Sequence, residues 1–107
     1  MKPDFKSYYA VIFTSVQTKN IEGYSEMAQQ METLAKQQEG FLGMDSARNE
    51  NNNSIGITVS YWETIEAIRN WKQLSEHLAA QKQGKAGFYS WFNVKVCKVE
   101  REYEFNK

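Results

Sequence analysis

The stretch "SYYAVIFTSV", Ser7 to Val16, is apolar in both of its alternating phases. Its β-branched and aromatic residues read as a strand. Tyr8, Ala10 and Ile12 point to one side, and Tyr9, Val11 and Phe13 to the other. A strand in an antiparallel sheet with one wet face alternates apolar with polar residues. This one does not. Nor does "SIGITVSYW", where Ile55, Ile57, Val59 and Tyr61 oppose Gly56, Thr58, Ser60 and Trp62. A sheet built from such strands must be covered on both faces.

The remaining segments fix how much cover the chain brings. In "EGYSEMAQQMETLAKQQEG", Tyr24, Met27, Ala28, Met31, Leu34 and Ala35 recur at helical spacing and form one apolar stripe. The methionines suit core packing better than a soft ligand-binding face, because the stripe is regular. Glu26 falls in the first turn, where the helix dipole favours it, and Gly40 is expected as the left-handed C-cap. "FLGMDSARN" reads as a strand joined to "SIGITVSYW" by the polar hairpin loop "NENNNS". Thr64 is the expected N-cap of a second helix with Ile65, Ile68 and Trp71 on its inner face. "GKAG" breaks that helix. "FYSWFNVKVCKVEREYEF" is a long last strand, apolar at Phe92, Val94 and Val96 and then in the other phase at Cys97, Val99, Tyr103 and Phe105. The switch suggests a β-bulge or a change of environment.

The order β-α-β-β-α-β is that of a ferredoxin-like α+β unit with a four-stranded antiparallel sheet. Two helices cover one face of that sheet. The other is expected to meet the same face of a second copy, since monomers rarely leave large apolar patches bare. The expectation is therefore a homodimer whose two sheets close an α+β barrel. The last strand reaches toward the partner, and an aromatic-lined pocket lies between sheet and helices in each half.

Composition narrows the function. A chain of 107 residues is read as one domain, 1–107, with a core over about 8–104. Aromatic residues make up 14%, and 13 basic residues balance 13 acidic ones. No run of like charge suggests a nucleic-acid stripe or an anionic membrane surface. Cys97 and His77 are each the only residue of their type, which excludes a Cys/His zinc site. "MKPDFKSYY" has no apolar run of signal-peptide length and no stretch is long enough to span a bilayer, so a cytoplasmic setting is expected.

The order of elements resembles the antibiotic biosynthesis monooxygenase family over nearly the whole chain, about Tyr8 to Tyr103. The residues that carry the resemblance are "EGFLG" (Glu39 to Gly43), "SYWET" (Ser60 to Thr64) and "NWKQLSEH", which ends where the family often has a histidine. The resemblance implies a dimeric α+β barrel and a cofactor-free monooxygenase that oxidises a small aromatic or quinol-type substrate with molecular oxygen. It leaves open a non-catalytic binder of an aromatic metabolite. Haem-degrading relatives pair a pocket tryptophan and a first-strand asparagine with a histidine further along the helix. At that spacing past Trp71 this chain has Gln81, and its first strand has no asparagine, so haem chemistry ranks last.

Oxygenation without a cofactor needs a pocket that binds a flat aromatic, handles a proton and excludes water. Trp62, Trp71, Phe88, Tyr89 and Trp91 are the candidate walls. Asn93, Tyr8 and Arg48 are candidates to hydrogen-bond the substrate or an oxyanion. His77 is the natural general base. Each has a plainer reading. Trp62 and Trp71 suit the core, Asn93 and Tyr8 suit the barrel or solvent, Arg48 suits a surface or dimer contact, and His77 suits a helix-surface pair with Glu76 or Glu26. On one continuous helix Trp71 and His77 stand about 120° apart, so they share a pocket only if the helix breaks between them.

Overall fold

A computed structural model describes residues 5–19, 21–49, 55–83 and 87–107, with the backbone alone for 80–83. The elements follow the expected order: β1 (Tyr8–Gln17), α1 (Tyr24–Lys36), β2 (Phe41–Arg48), β3 (Ile55–Trp62), α2 (Ile65–Gln83) and β4 (Tyr89–Val99). The four strands form one antiparallel sheet in the order β2-β3-β1-β4. The fold is the ferredoxin-like α+β unit. Most of the "NENNNS" loop and of "GKAG" lies outside the described residues. At the loop's mouth, Asn49 N–H donates to the Ile55 carbonyl at 2.8 Å.

The registers sort the side chains. Tyr9, Val11, Phe13 and Ser15 on β1 pair with Trp62, Ser60, Thr58 and Gly56 on β3, and with Lys98, Val96, Val94 and Phe92 on β4. This is the face under the helices, because Tyr9, Val11, Phe41 and Trp71 pack around buried Trp62, Ala67 and Ile68. Tyr8, Ala10, Ile12, Thr14 and Val16, with Ile55, Ile57, Val59 and Tyr61, occupy the opposite face.

The helix ends correct one expectation and bear out another. Thr64 Oγ1 accepts from Ala67 N–H at 3.0 Å, as an N-cap should. Gly40 is left-handed, with φ 86°, but the C-cap of α1 is Gln37 in the right-handed region. Gly40 instead turns the chain into β2 beneath α2: a Cβ there would stand 2.8 Å from Ala67 Cβ, and its carbonyl accepts from Glu63 N–H at 2.8 Å.

The phase switch in the last strand is not a bulge. Pairing with β1 runs unbroken from Phe92 to Val99, and the one irregularity lies where Val16 and Gln17 meet Trp91 and Tyr89. Both phases are apolar because the two faces of β4 have different apolar stretches. Val94 and Val96 lie on the helix side, Cys97 and Val99 on the open side. Beyond Val99 the tail leaves the sheet, and Tyr103 is 86% exposed.

Candidate functional site

The helices do not roof the sheet evenly. α1 packs on α2 and β2, and α2 packs on β3. On the helix side of the edge strand β4, Phe92, Val94 and Val96 are left 58%, 48% and 50% exposed. Together with Phe13 they form the floor of an apolar groove, in which the Phe13 and Phe92 rings stack with centroids 5.5 Å apart. Tyr89 closes on both of them edge-on, at 5.3 and 6.3 Å.

At the end of this groove, where β1 finishes and β4 and α1 begin, polar groups collect. Arg48 reaches across β3 from the end of β2. Its Nη2 donates to Ser15 Oγ and to Tyr24 Oη, each at 3.1 Å. The guanidinium also lies 5.5 Å from the Tyr24 ring centroid, within cation–π range. Tyr89 O–H donates to Tyr24 Oη at 3.2 Å. The Tyr24 ring meets Phe88 and Tyr89 edge-on, at 5.4 and 5.8 Å. Burial, and then the hydrogen bond to Tyr24, push the Tyr89 phenol far above its ordinary value of 10.0, against a smaller opposing pull from Arg48. Tyr89 therefore stays a donor across the neutral range.

The local sequence explains how a guanidinium fits inside the fold. Ser15 and Gly56 are register neighbours on β1 and β3, and both are buried. Two small residues where the pattern calls for bulk leave a slot, and the Arg48 side chain fills it. Arg48 is thus not the surface charge its position at a strand end suggested.

The other expected site residues separate. Trp62 is fully buried, with Nε1 donating to Ser60 Oγ at 2.8 Å. It stacks on Trp71 at 6.0 Å with planes 26° apart, so this pair belongs to the core. Phe88 and Tyr89 do border the groove. Trp91 and Asn93 pair with Val16 and Thr14 and lie on the open face of the sheet, away from it. Asn93 Oδ1 accepts from Lys95 Nζ at 2.6 Å. Tyr8, on the same open face, donates to Glu102 Oε1 at 2.8 Å; that bond, chiefly, raises its pKa. It also borders a shallow surface pocket of about 140 Å³ with Lys6, Ser7, Leu42 and Glu63, at the end of β1 remote from Tyr24.

α2 runs without interruption through Ile65–Gln83, so Trp71 and His77 do not share a pocket; His77 is exposed while Trp71 is half-buried. The residues that the patterns did not single out for chemistry are Tyr24, Ser15, Phe13 and Phe92. Tyr24 was hidden in the stripe of α1. The Ser15–Gly56 gap was the one legible signal of its polar neighbour.

Among the described residues, no three His, Cys, Asp or Glu side chains gather closely enough to hold a metal ion. No helix among them is long and apolar enough to cross a membrane.

The chain and its fold have known relatives. The family model described as antibiotic biosynthesis monooxygenase matches residues 7–83. The uncharacterised protein YqjZ of Bacillus subtilis is 45% identical over 100 residues, covering 94% of this chain and 86% of that protein. The fold superposes on SnoaB, a cofactor-independent oxygenase from Streptomyces nogalater, with TM-score 0.68 at 11% identity, covering 92% of this chain and 97% of the other. A Shewanella oneidensis protein superposes with TM-score 0.70 at 10% identity, covering 89% and 93%.

Proposed function

Since the chain belongs to the antibiotic biosynthesis monooxygenase family, we propose that it oxidises a small aromatic or quinol-type substrate with molecular oxygen, using neither metal nor flavin, in the groove over β1 and β4. The observation that carries this reading is an apolar, ring-lined floor ending in a guanidinium and two phenols. Phe13, Phe92 and Val94 offer a flat aromatic the stacking surface it needs. Arg48, Tyr24 and Tyr89 offer donors where an oxygen of the substrate becomes negative. Such a substrate reacts with oxygen as its electron-rich anion, so the chain's task is to bind the ring, favour loss of its proton and keep water away.

The groove is open on its β4 side in one copy of the chain. A second copy laid on the open face of the sheet, with its tail reaching over, supplies the missing wall. That is the homodimer the two-faced strands call for, with the two sheets closing an α+β barrel. A cytoplasmic setting suits a chain with a single, unpaired cysteine.

The test is oxygen consumption with anthrone- and quinol-type compounds. Consumption above the uncatalysed rate, lost in Arg48→Met, supports the oxygenase. An aromatic ligand retained through purification and returned unchanged, with no oxygen consumed, favours binding alone.

A further inference from the structure

We propose that Tyr24 is the residue that holds the ionised oxygen of the ligand, and that the site therefore selects flat phenols and enols in their deprotonated form. The inference rests on the reading of the groove as a ligand site and goes beyond it by assigning the contact atom and the charge state. A tyrosine oxygen accepts two hydrogen bonds and donates one. Both acceptor positions of Tyr24 Oη are taken: an Arg48 guanidinium nitrogen donates at 3.1 Å and the Tyr89 hydroxyl at 3.2 Å. Arg48 is obliged to donate, since guanidinium has no acceptor. Tyr89 is held protonated by burial and by this very bond. The proton of Tyr24 is thereby committed to a third partner and polarised by the positive charge behind it.

Such a donor prefers an anion. A charge-assisted hydrogen bond is roughly twice as strong as a neutral one. A neutral phenol forgoes that charge-assisted bond and meets the Arg48 cation only as a dipole. The ring of the ligand, meanwhile, has Tyr89, Phe92 and Val94 to lie on. The selected class is consequently a planar aromatic or conjugated system with one acidic hydroxyl at its edge. No bond is made or broken in this step; the site shifts a proton equilibrium of the ligand toward water.

Para-nitrophenol is the probe, because its phenolate is yellow and its phenol is not. The full-length chain is titrated with it across the pH range around the probe's own pKa. The expected result is an apparent pKa of the bound probe lowered by about one unit, a tenfold preference for phenolate. Tyr24→Phe abolishes the preference while leaving weak, pH-independent binding. Phe92→Leu weakens phenol and phenolate alike and keeps the preference.

A bound probe that titrates like the free one overturns the proposal. So does no binding at millimolar protein, or a Tyr24→Phe protein that keeps the shift. If Tyr24→Phe does not fold by circular dichroism, the parent chain alone decides, through its relative affinity for benzoate and benzamide, with benzoate expected to win about tenfold by the same charge preference; equal affinities overturn the assignment. None of these measurements uses oxygen. A chain that lowers the probe's pKa but consumes no oxygen keeps this site and sinks the oxygenase. An oxygenase indifferent to Tyr24→Phe does the reverse.

Discussion

The guanidinium of Arg48 occupies the space that a side chain at position 56 would need. A Cβ built on Gly56 collides with Arg48 Cζ and Nη2, and Gly56 itself is buried. The glycine is required by this close approach, with no call on an unusual backbone angle. Arg48 in turn ties three elements together, since its own strand, β2, is linked through Ser15 to β1 and through Tyr24 to α1.

Gly56→Ala is therefore expected to displace Arg48 and to release both contacts. The cost in stability is about 1–3 kcal/mol, the range for leaving buried polar groups unsatisfied. Urea unfolding followed by tryptophan fluorescence measures it. Arg48→Met in the Gly56→Ala background should add little, because the two changes break one interaction. Additive losses would show that Gly56 acts by some other route.

The Trp62 indole anchors the core under α2. Trp62→Ala is expected to destabilise the chain by about 3–5 kcal/mol, the range for removing a buried aromatic. Ser60→Ala should cost about 1–3 kcal/mol, because the indole N–H would be buried without its acceptor. Thermal unfolding of both variants checks the order, and a larger loss for Ser60→Ala than for Trp62→Ala contradicts it.

These residues show what the patterns made legible. β-branched and aromatic composition placed the strands and helical spacing the helices, because each element has enough apolar residues to show its type. The Trp62–Trp71 pair was readable as core for the same reason. Which expected site residues converge was not readable, since that depends on strand register: Asn93 and Tyr89 are four apart on one strand, yet the irregularity opposite Val16 and Gln17 puts them on different faces. The plainer reading of Arg48 as a surface or dimer contact failed because its neighbours in space, Ser15 and Gly56, lie on other strands. A long side chain at a strand end looks exposed until the slot it fills is known. His77 drew notice for its chemistry alone, whereas its exposure follows from a helix that never breaks.

That continuity has a functional consequence. His77→Ala is expected to leave oxygen consumption within about twofold of the parent, the range for an exposed substitution. Arg48→Met and Tyr24→Phe should lower it far more. Initial rates at saturating substrate decide. A collapse of turnover in His77→Ala alone would restore the histidine as the base and remove Tyr24 from the chemistry.

Alkaline titration tests the Tyr89–Tyr24 pair without any ligand. Tyr89 has a folded-state pKa raised well above 10.0, chiefly by burial. In the unfolded chain it loses its proton near the ordinary value. Its contribution to stability is therefore whole below about pH 10, and is lost progressively as the pH rises from there toward the folded value. The urea midpoint is expected to fall with rising pH above this point. Tyr89→Phe should flatten that fall while lowering stability at neutral pH. An equally steep fall in the variant would assign the effect to other tyrosines.

The open face of the sheet leads to the last expectation. Ile55, Ile57 and Trp91 stand 43%, 45% and 52% exposed there, alongside Ile12 and Val59. A continuous apolar surface of this kind is rarely left to water. The tail leaves from the same face, tied at its root by the Tyr8–Glu102 bond, and Tyr103 and Phe105 beyond it are almost bare. The radius of gyration, 15.3 Å, exceeds the about 13 Å of a compact chain near this length. All three features are resolved at once by a second copy on that face. Sedimentation should give twice 12.5 kDa for the parent chain. Ile57→Lys buries a charge without a partner in the paired sheets, and is expected to give monomers. Gln29→Lys, on the exposed side of α1, should leave the dimer intact. A parent chain that sediments as a single copy at micromolar concentration would mean that the groove over β4 has no wall from a partner, and the aromatic substrate would then have to bind to a site open on one side.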